Sequence, residues 1–122
     1  MKIIIPLDEY RGPISRVCDH FGSAPFFAMV DTVAGEVEII DNKNIHHDHG
    51  QCTPADMFTE LGASAAVVNG IGAKAAARLQ SLGMDIYMAG SALTLIEVIE
   101  SFGNGLLQKL EATQACPGHE CG

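Results

Sequence analysis

The chain is predicted to be a single-domain α/β protein on a mixed five-stranded sheet, with elements in the order βββαβαβα and helices over its faces. Three observations predict it. Short β-branched apolar runs fill the first forty residues, apolar stripes at helical spacing alternate with short apolar runs from Pro54 onward, and a glycine follows each stripe.

Lys2 to Ile5 is a compact apolar run closed by Pro6, as expected of a buried first strand. Phe26 to Val30 and Glu36 to Ile40 follow, separated by a few residues around Ala34-Gly35 that permit only a tight antiparallel hairpin. The alternation in the third run marks an edge strand. Ala55, Phe58 and Leu61 then share a helical face, and Ala65 to Val68 is a fourth strand. Ala76, Leu79 and Leu82 mark a second helix, and Ile86 to Met88 a fifth strand. Ala92, Leu95, Ile96, Ile99 and Phe102 mark a third helix. Gly62, Gly83 and Gly103 are the expected helix stops. Because each of the last two strands is reached through a helix, they should run parallel. Residues 1–110 form the folded domain in this reading, and 111–122, EATQACPGHECG, a flexible tail rich in Cys and His.

Composition narrows the function. Of 122 residues 48% are hydrophobic and 18% charged, the balance of a packed core. A net charge of −8 repels a phosphate backbone and argues against nucleic-acid partners. No run approaches the ~18 apolar residues of a membrane span, and MKIIIPLDEY turns acidic before a signal-peptide core could form. The expected location is the cytoplasm. In that reducing compartment the four cysteines are expected to bind metal or do thiol chemistry in preference to forming disulfides.

Soft donors cluster in the segment His46-His47-Asp48-His49-Gly50-Gln51-Cys52. Imidazole and thiolate suit zinc, copper, iron and metal–sulfur clusters, whereas magnesium and calcium want oxygen. If the first strand runs up and the second down, this segment lies beyond the upper end of the third strand. Cys18 and His20 reach the same end, with the turns Asn69-Gly70-Ile71-Gly72 and Gly90-Ser91. Ligands of open α/β sheets bind at that carboxyl pole. Each of the two turns is expected to open a helix and offer unpaired N–H groups to an anion. Tight-turn geometry accounts equally well for Gly70 and Gly72. The tail repeats the donor chemistry in Cys116, His119 and Cys121, which could complete a metal site. Cys18 also reads as a small buried residue, and the loop histidines as solvated ones.

MKIIIPLDE, DHFGSAPFFAMVD (Asp19 to Asp31), HGQC (His49 to Cys52) and LGASAAVVNGIGAKAAARLQSLGMDIYMA (Leu61 to Ala89) together resemble the dinitrogenase iron–molybdenum cofactor-binding family, the NifX-like and NifB carboxyl-terminal-domain-like proteins. The resemblance spans about residues 1 to 107. It implies a ribonuclease-H-like fold that binds or carries a metal–sulfur cofactor during assembly or delivery, in exchange with donor and recipient proteins and without catalysis. It also implies His20, in the H-F-G element, as a cofactor ligand. Cys52 falls where the family pattern varies, and the cysteine-bearing tail lies outside it.

The leading expectation is thus a noncatalytic carrier of an iron–molybdenum-type or related cluster, held by His20, with the His46 to Cys52 loop as a further source of ligands and N–H donors from Gly70, Gly72, Gly90 and Ser91. A small zinc- or copper-binding module and a protein-interaction domain are alternatives. A ribonuclease-H-like metal-dependent enzyme would need converging carboxylates, for which Asp8, Asp19, Asp31 and Asp48 are available, but the first strand contains no acid. The exposed third strand leaves room for a homodimer.

Overall fold

The computed structural model describes residues 1–21, 23–41 and 58–110. Strand β1 (Lys2–Leu7) is followed by β2 (Phe26–Asp31), β3 (Glu36–Asp41) and β4 (Ala63–Val68). Helix α1 (Ala73–Ser81), strand β5 (Asp85–Met88), helix α2 (Leu95–Gly103) and strand β6 (Gln108–Lys109) complete the chain order. All six strands form one sheet in the order β3-β2-β1-β4-β5-β6. β1, β4 and β5 are parallel, while β2 opposes β1 and β3, and β6 opposes β5.

The predicted α/β class and the mixed sheet hold, but the strand count was one short. Gln108–Lys109 adds a sixth strand on β5, pairing with Met88 and Tyr87. Its two residues carry no apolar alternation because both side chains are exposed, so periodicity could not mark it. Leu110 then buries its side chain and donates its amide to the Ile86 carbonyl at 2.6 Å.

Pro6 does not close β1 as expected; the strand continues to Leu7. β4 pairs with Lys2, Ile3 and Ile4, and beyond them β1 takes a different neighbour. Cys18 donates its amide to the Pro6 carbonyl at 2.9 Å, Leu7 bridges Val17, and Asp8 donates to Arg16. A proline is tolerated here because the regular β4 ladder has already ended.

Alternation divides the core between the two faces. Ile4, Phe27, Met29, Ala66, Val68 and Ile86 pack beneath α1 with Phe58, while Ile3, Ile5, Leu7, Val30, Val67 and Ala65 pack beneath α2. Phe21, Phe27 and Phe58 form an edge-on aromatic cluster with centroids 4.8 to 6.0 Å apart. Burial of each such ring contributes roughly 1.5–3 kcal/mol. Residues 58–60 are helical, as the Phe58 stripe predicts, but Leu61 lies in the following turn and is exposed.

The third helix begins later than predicted. Ala92 is buried but precedes α2, whose start is fixed by a capping box: the Thr94 hydroxyl accepts from the Glu97 amide while the Glu97 carboxylate accepts from the Thr94 amide. Gly103 remains helical, and the positive φ that follows belongs to Gly105. Among the described residues, no helix is long and apolar enough to cross a membrane.

Candidate functional site

Strand direction carries three described loops to one pole. Residues 8–25 leave β1 and enter β2 there, residues 69–72 join β4 to α1, and residues 89–94 join β5 to α2. β3 also ends at this pole, since Asp41 is in register with Phe26, which in turn faces Leu7. The segment His46, His47, His49 and Cys52, which departs from β3, lies outside the described residues, as does the tail with Cys116, His119 and Cys121.

The loops are tied by backbone as well as side chains. Val17 donates to the Leu93 carbonyl at 3.0 Å, Leu95 to Ser15 at 2.8 Å, and Ile96 to Pro13 at 2.9 Å. Residues 16–18 therefore act as a short splice between the end of β1 and the approach to α2. Ser15, wholly buried, supports the splice by taking the Arg11 amide and donating its hydroxyl to Gly12, both at 2.7 Å. On the other side the Asn69 amide group donates to the Asp19 carboxylate at 2.8 Å.

Gly70 has a packing reason for being glycine. A Cβ at that position would stand 2.8 Å from the Asp19 carbonyl oxygen, closer than side-chain carbons come to any oxygen. Asp19 and Gly70 are thus pressed together, and His20, the next residue, is exposed at the pole. Phe21 anchors the far side of the histidine by burying its ring against Phe27 and Phe58. The backbone of His20 thus runs between two fixed neighbours, with its side chain exposed.

Cys18 lies beneath this surface at 6% exposure, packed with Ile4 and Phe21 in the core. Burial pushes its thiol above the ordinary range. A backbone N–H donated by His20 to the sulfur works in the opposite direction, while the hydrogen bond to Asp8 and the charges of Asp8 and Asp19 raise it further. The thiol is therefore protonated at neutral pH, the condition of a core cysteine rather than of a free thiolate.

The two helix openings differ. α1 begins at Gly72 with no side-chain cap and no acidic residue in its first turn, so its amides face outward with a partly positive field. α2 begins four residues beyond Ser91, not at Gly90-Ser91 as expected, and its first amides are already taken by Ser15, Pro13 and Thr94. The Glu97 carboxylate also occupies that end, accepting from Leu93 and Thr94 at 3.1 Å. Gly90 takes φ +63° in the turn that Ala92 closes onto Ala89, and Ser91 is exposed beside it.

Asp48 lies outside the described residues, and the other three carboxylates do not converge. Asp8 and Asp19 belong to the loop pole, but Asp31 pairs in register with Lys2 at the opposite end of the sheet, a six-residue strand away. No group of three or more His, Cys, Asp or Glu side chains among the described residues is arranged to hold a metal ion. The sequence missed the Asp19–Asn69 clamp and the 16–18 splice. Asn69 stood in plain view before the glycines, but its partner lies fifty residues away.

What emerges is a small α/β domain with tied loops at the carboxyl pole and one uncapped helix opening onto it. The sequence profile of the dinitrogenase iron-molybdenum cofactor family matches residues 1–105, and the chain belongs to that family. An uncharacterized protein of Methanocaldococcus jannaschii is 35% identical over 115 residues, which cover 91% of this chain and 92% of the relative. A Thermotoga protein assigned to NifB and solved by NMR superposes with a TM-score of 0.72 at 28% identity, covering 89% of this chain and 92% of its own. The apo form of the orange protein from Desulfovibrio gigas superposes with a TM-score of 0.75, over 89% of this chain and 92% of its own, and at 24% identity it shares the fold. Membership in the family supports a cofactor-binding or carrier role.

Proposed function

We propose that this protein binds a metal–sulfur cofactor of the iron–molybdenum type, or a related cluster, and hands it on without catalysing a reaction. The carrying observation is the exposed His20 held beside Asp19, which is clamped to the Asn69-Gly70 turn ahead of the uncapped α1 opening. The donor set fits such a cargo: a borderline imidazole suits a transition metal, and outward amides of Gly72 and the first turn of α1 suit sulfide or oxo anions. Asp8 and Asp19 oppose an anion at the same pole, so short-range dipoles must outweigh their screened charge.

Further ligands in this reading come from His46, His47, His49 and Cys52, and from Cys116, His119 and Cys121. Cys18 would be a ligand only if metal displaced its proton. Gly90 and Ser91 would contribute from the turn itself and not from a helix end. The strand order β3-β2-β1-β4-β5, with β2 antiparallel, supports a ribonuclease-H-like architecture, and the separation of Asp31 from Asp8 and Asp19 supports a noncatalytic role over a carboxylate–magnesium enzyme. Cofactor-assembly proteins in the cytoplasm are the expected donors and recipients.

The experiment is to mix anaerobically purified protein with preformed clusters, and separately with zinc or copper. Visible absorption, metal content and acid-labile sulfide are then measured for the wild type and His20→Ala. Weakened cluster retention in the variant, with melting of the unloaded protein moved by no more than about 0.5 kcal/mol, is expected for an exposed ligand. Equal retention by both proteins removes His20 from the site. Tight zinc or copper binding without cluster uptake replaces the carrier reading with a simple metal module.

A further inference from the structure

At the pole opposite the loops, the sheet ends in an acidic edge. The registers align Lys2, Asp31 and Glu36 in one row across β1, β2 and β3, and Ile4, Met29 and Glu38 in the next row on that face. Of these, Lys2, Asp31, Glu36, Met29 and Glu38, together with Val37, line a depression of about 420 Å³ beside the β3 edge. Charge along the first row runs plus, minus, minus toward the outside. Directly opposed like charges such as Asp31 and Glu36 are unfavourable in a sheet. The Asp31 carboxylate is engaged by the Val33 and Ala34 amides of the hairpin, which holds it ionised. Among the described residues no ion pair reaches Glu36 or Glu38.

β3 is also an edge strand of full length. All six of its residues pair with β2, and among the described residues the sheet order places nothing beyond it. Its alternate N–H and C=O groups therefore point outward. Acidic side chains on such an edge repel a second β3, because antiparallel self-pairing would set Glu36 and Glu38 against one another or against Asp41. They attract a strand with basic residues at alternate positions.

We propose that the β3 edge docks an extended basic polypeptide segment of a partner protein by strand addition, with Lys or Arg side chains meeting Glu36 and Glu38 over the depression. Main-chain hydrogen bonds supply the pairing, and the charge rows set which strands are accepted. Glu36 and Glu38, which select the charge, lie toward the end of the sheet far from His20, while the edge itself runs up to the loop pole at Asp41.

The test uses the isotope-labelled full chain and two short probe peptides, one alternating Lys with Val and the other alternating Glu with Val. The Lys peptide should slow hydrogen exchange at alternate amides of residues 36–41 and bind roughly tenfold more tightly than the Glu peptide, with the preference fading in high salt. The double variant Glu36→Lys/Glu38→Lys should reverse the preference. Glu36→Gln/Glu38→Gln should abolish it, with circular dichroism confirming that both variants fold. Equal binding of the two peptides, or no protection of β3 amides by either, overturns the proposal. Pairing of β3 with a second copy of the chain at neutral pH overturns it as well.

Discussion

Single residues at the loop pole are fixed by close contact more than by their own chemistry. Gly70→Ala would drive a Cβ into the Asp19 carbonyl, and neither backbone can rotate away cheaply. A loss of about 1–3 kcal/mol in chemical denaturation is expected, with shifted amide resonances at residues 19–21. Cys18 offers a second measurement. Its raised folded pKa means that the stabilisation from keeping it a thiol is fully present below the unfolded thiol pKa and is lost as pH rises through the folded value. Alkylation mapped by mass spectrometry should therefore be much slower at Cys18 in native protein near pH 8 than in denatured protein, and rapid native labelling would contradict its burial. The sequence made His20 visible as a candidate because an imidazole in a distinctive H-F-G element can be read locally. It left Gly70 balanced between tight turn and ligand contact, since the Asp19 carbonyl that decides the packing comes from a distant segment.

At the scale of elements, what could be read depended on how far each signal extended along the chain. β1 to β5 announced themselves as apolar runs, and Leu79 and Leu95 as buried helical positions, because each belongs to a preference repeated over several residues. Boundaries resting on partners elsewhere were missed. Local sequence closes β1 at Pro6, yet the Val17–Cys18 segment replaces β4 at that point; local sequence opens a helix at Ala92, yet Thr94 and Glu97 set the start. Glu97 makes this last point testable. Hydrogen bonds from Leu93 and Thr94 hold its carboxyl below the usual glutamate range, so its contribution is present above the unfolded glutamate pKa and is lost as pH falls through the lower folded value. Glu97→Gln should flatten the acid limb of the stability profile between about pH 5 and pH 3, and an unchanged limb would mean that the capping box carries no charge-dependent stability.

For the whole molecule, composition and element order foretold an α/β domain, and the topology joined the loops at one end without any single residue having to say so. Acids stand at both ends of the sheet, Asp31, Glu36 and Glu38 at one and Asp8, Asp19 and Asp41 at the other, but the first turn of α1 carries none. A global charge of −8 could not reveal that placement. The sixth strand escaped notice for a related reason, since Gln108 and Lys109 are held by β5 and by the burial of Leu110 that follows.

The splice of residues 16–18 gives the unloaded protein an interlocked crown, because one short segment joins the end of β1 to the residues just ahead of α2. Much of the conformational freedom of these loops has been surrendered during folding, before any cargo arrives. In unloaded protein the amides of Val17, Cys18 and Leu95 should accordingly resist deuterium uptake nearly as well as those of β1. If they exchange as fast as an unstructured chain, the crown is assembled by its guest instead of awaiting it.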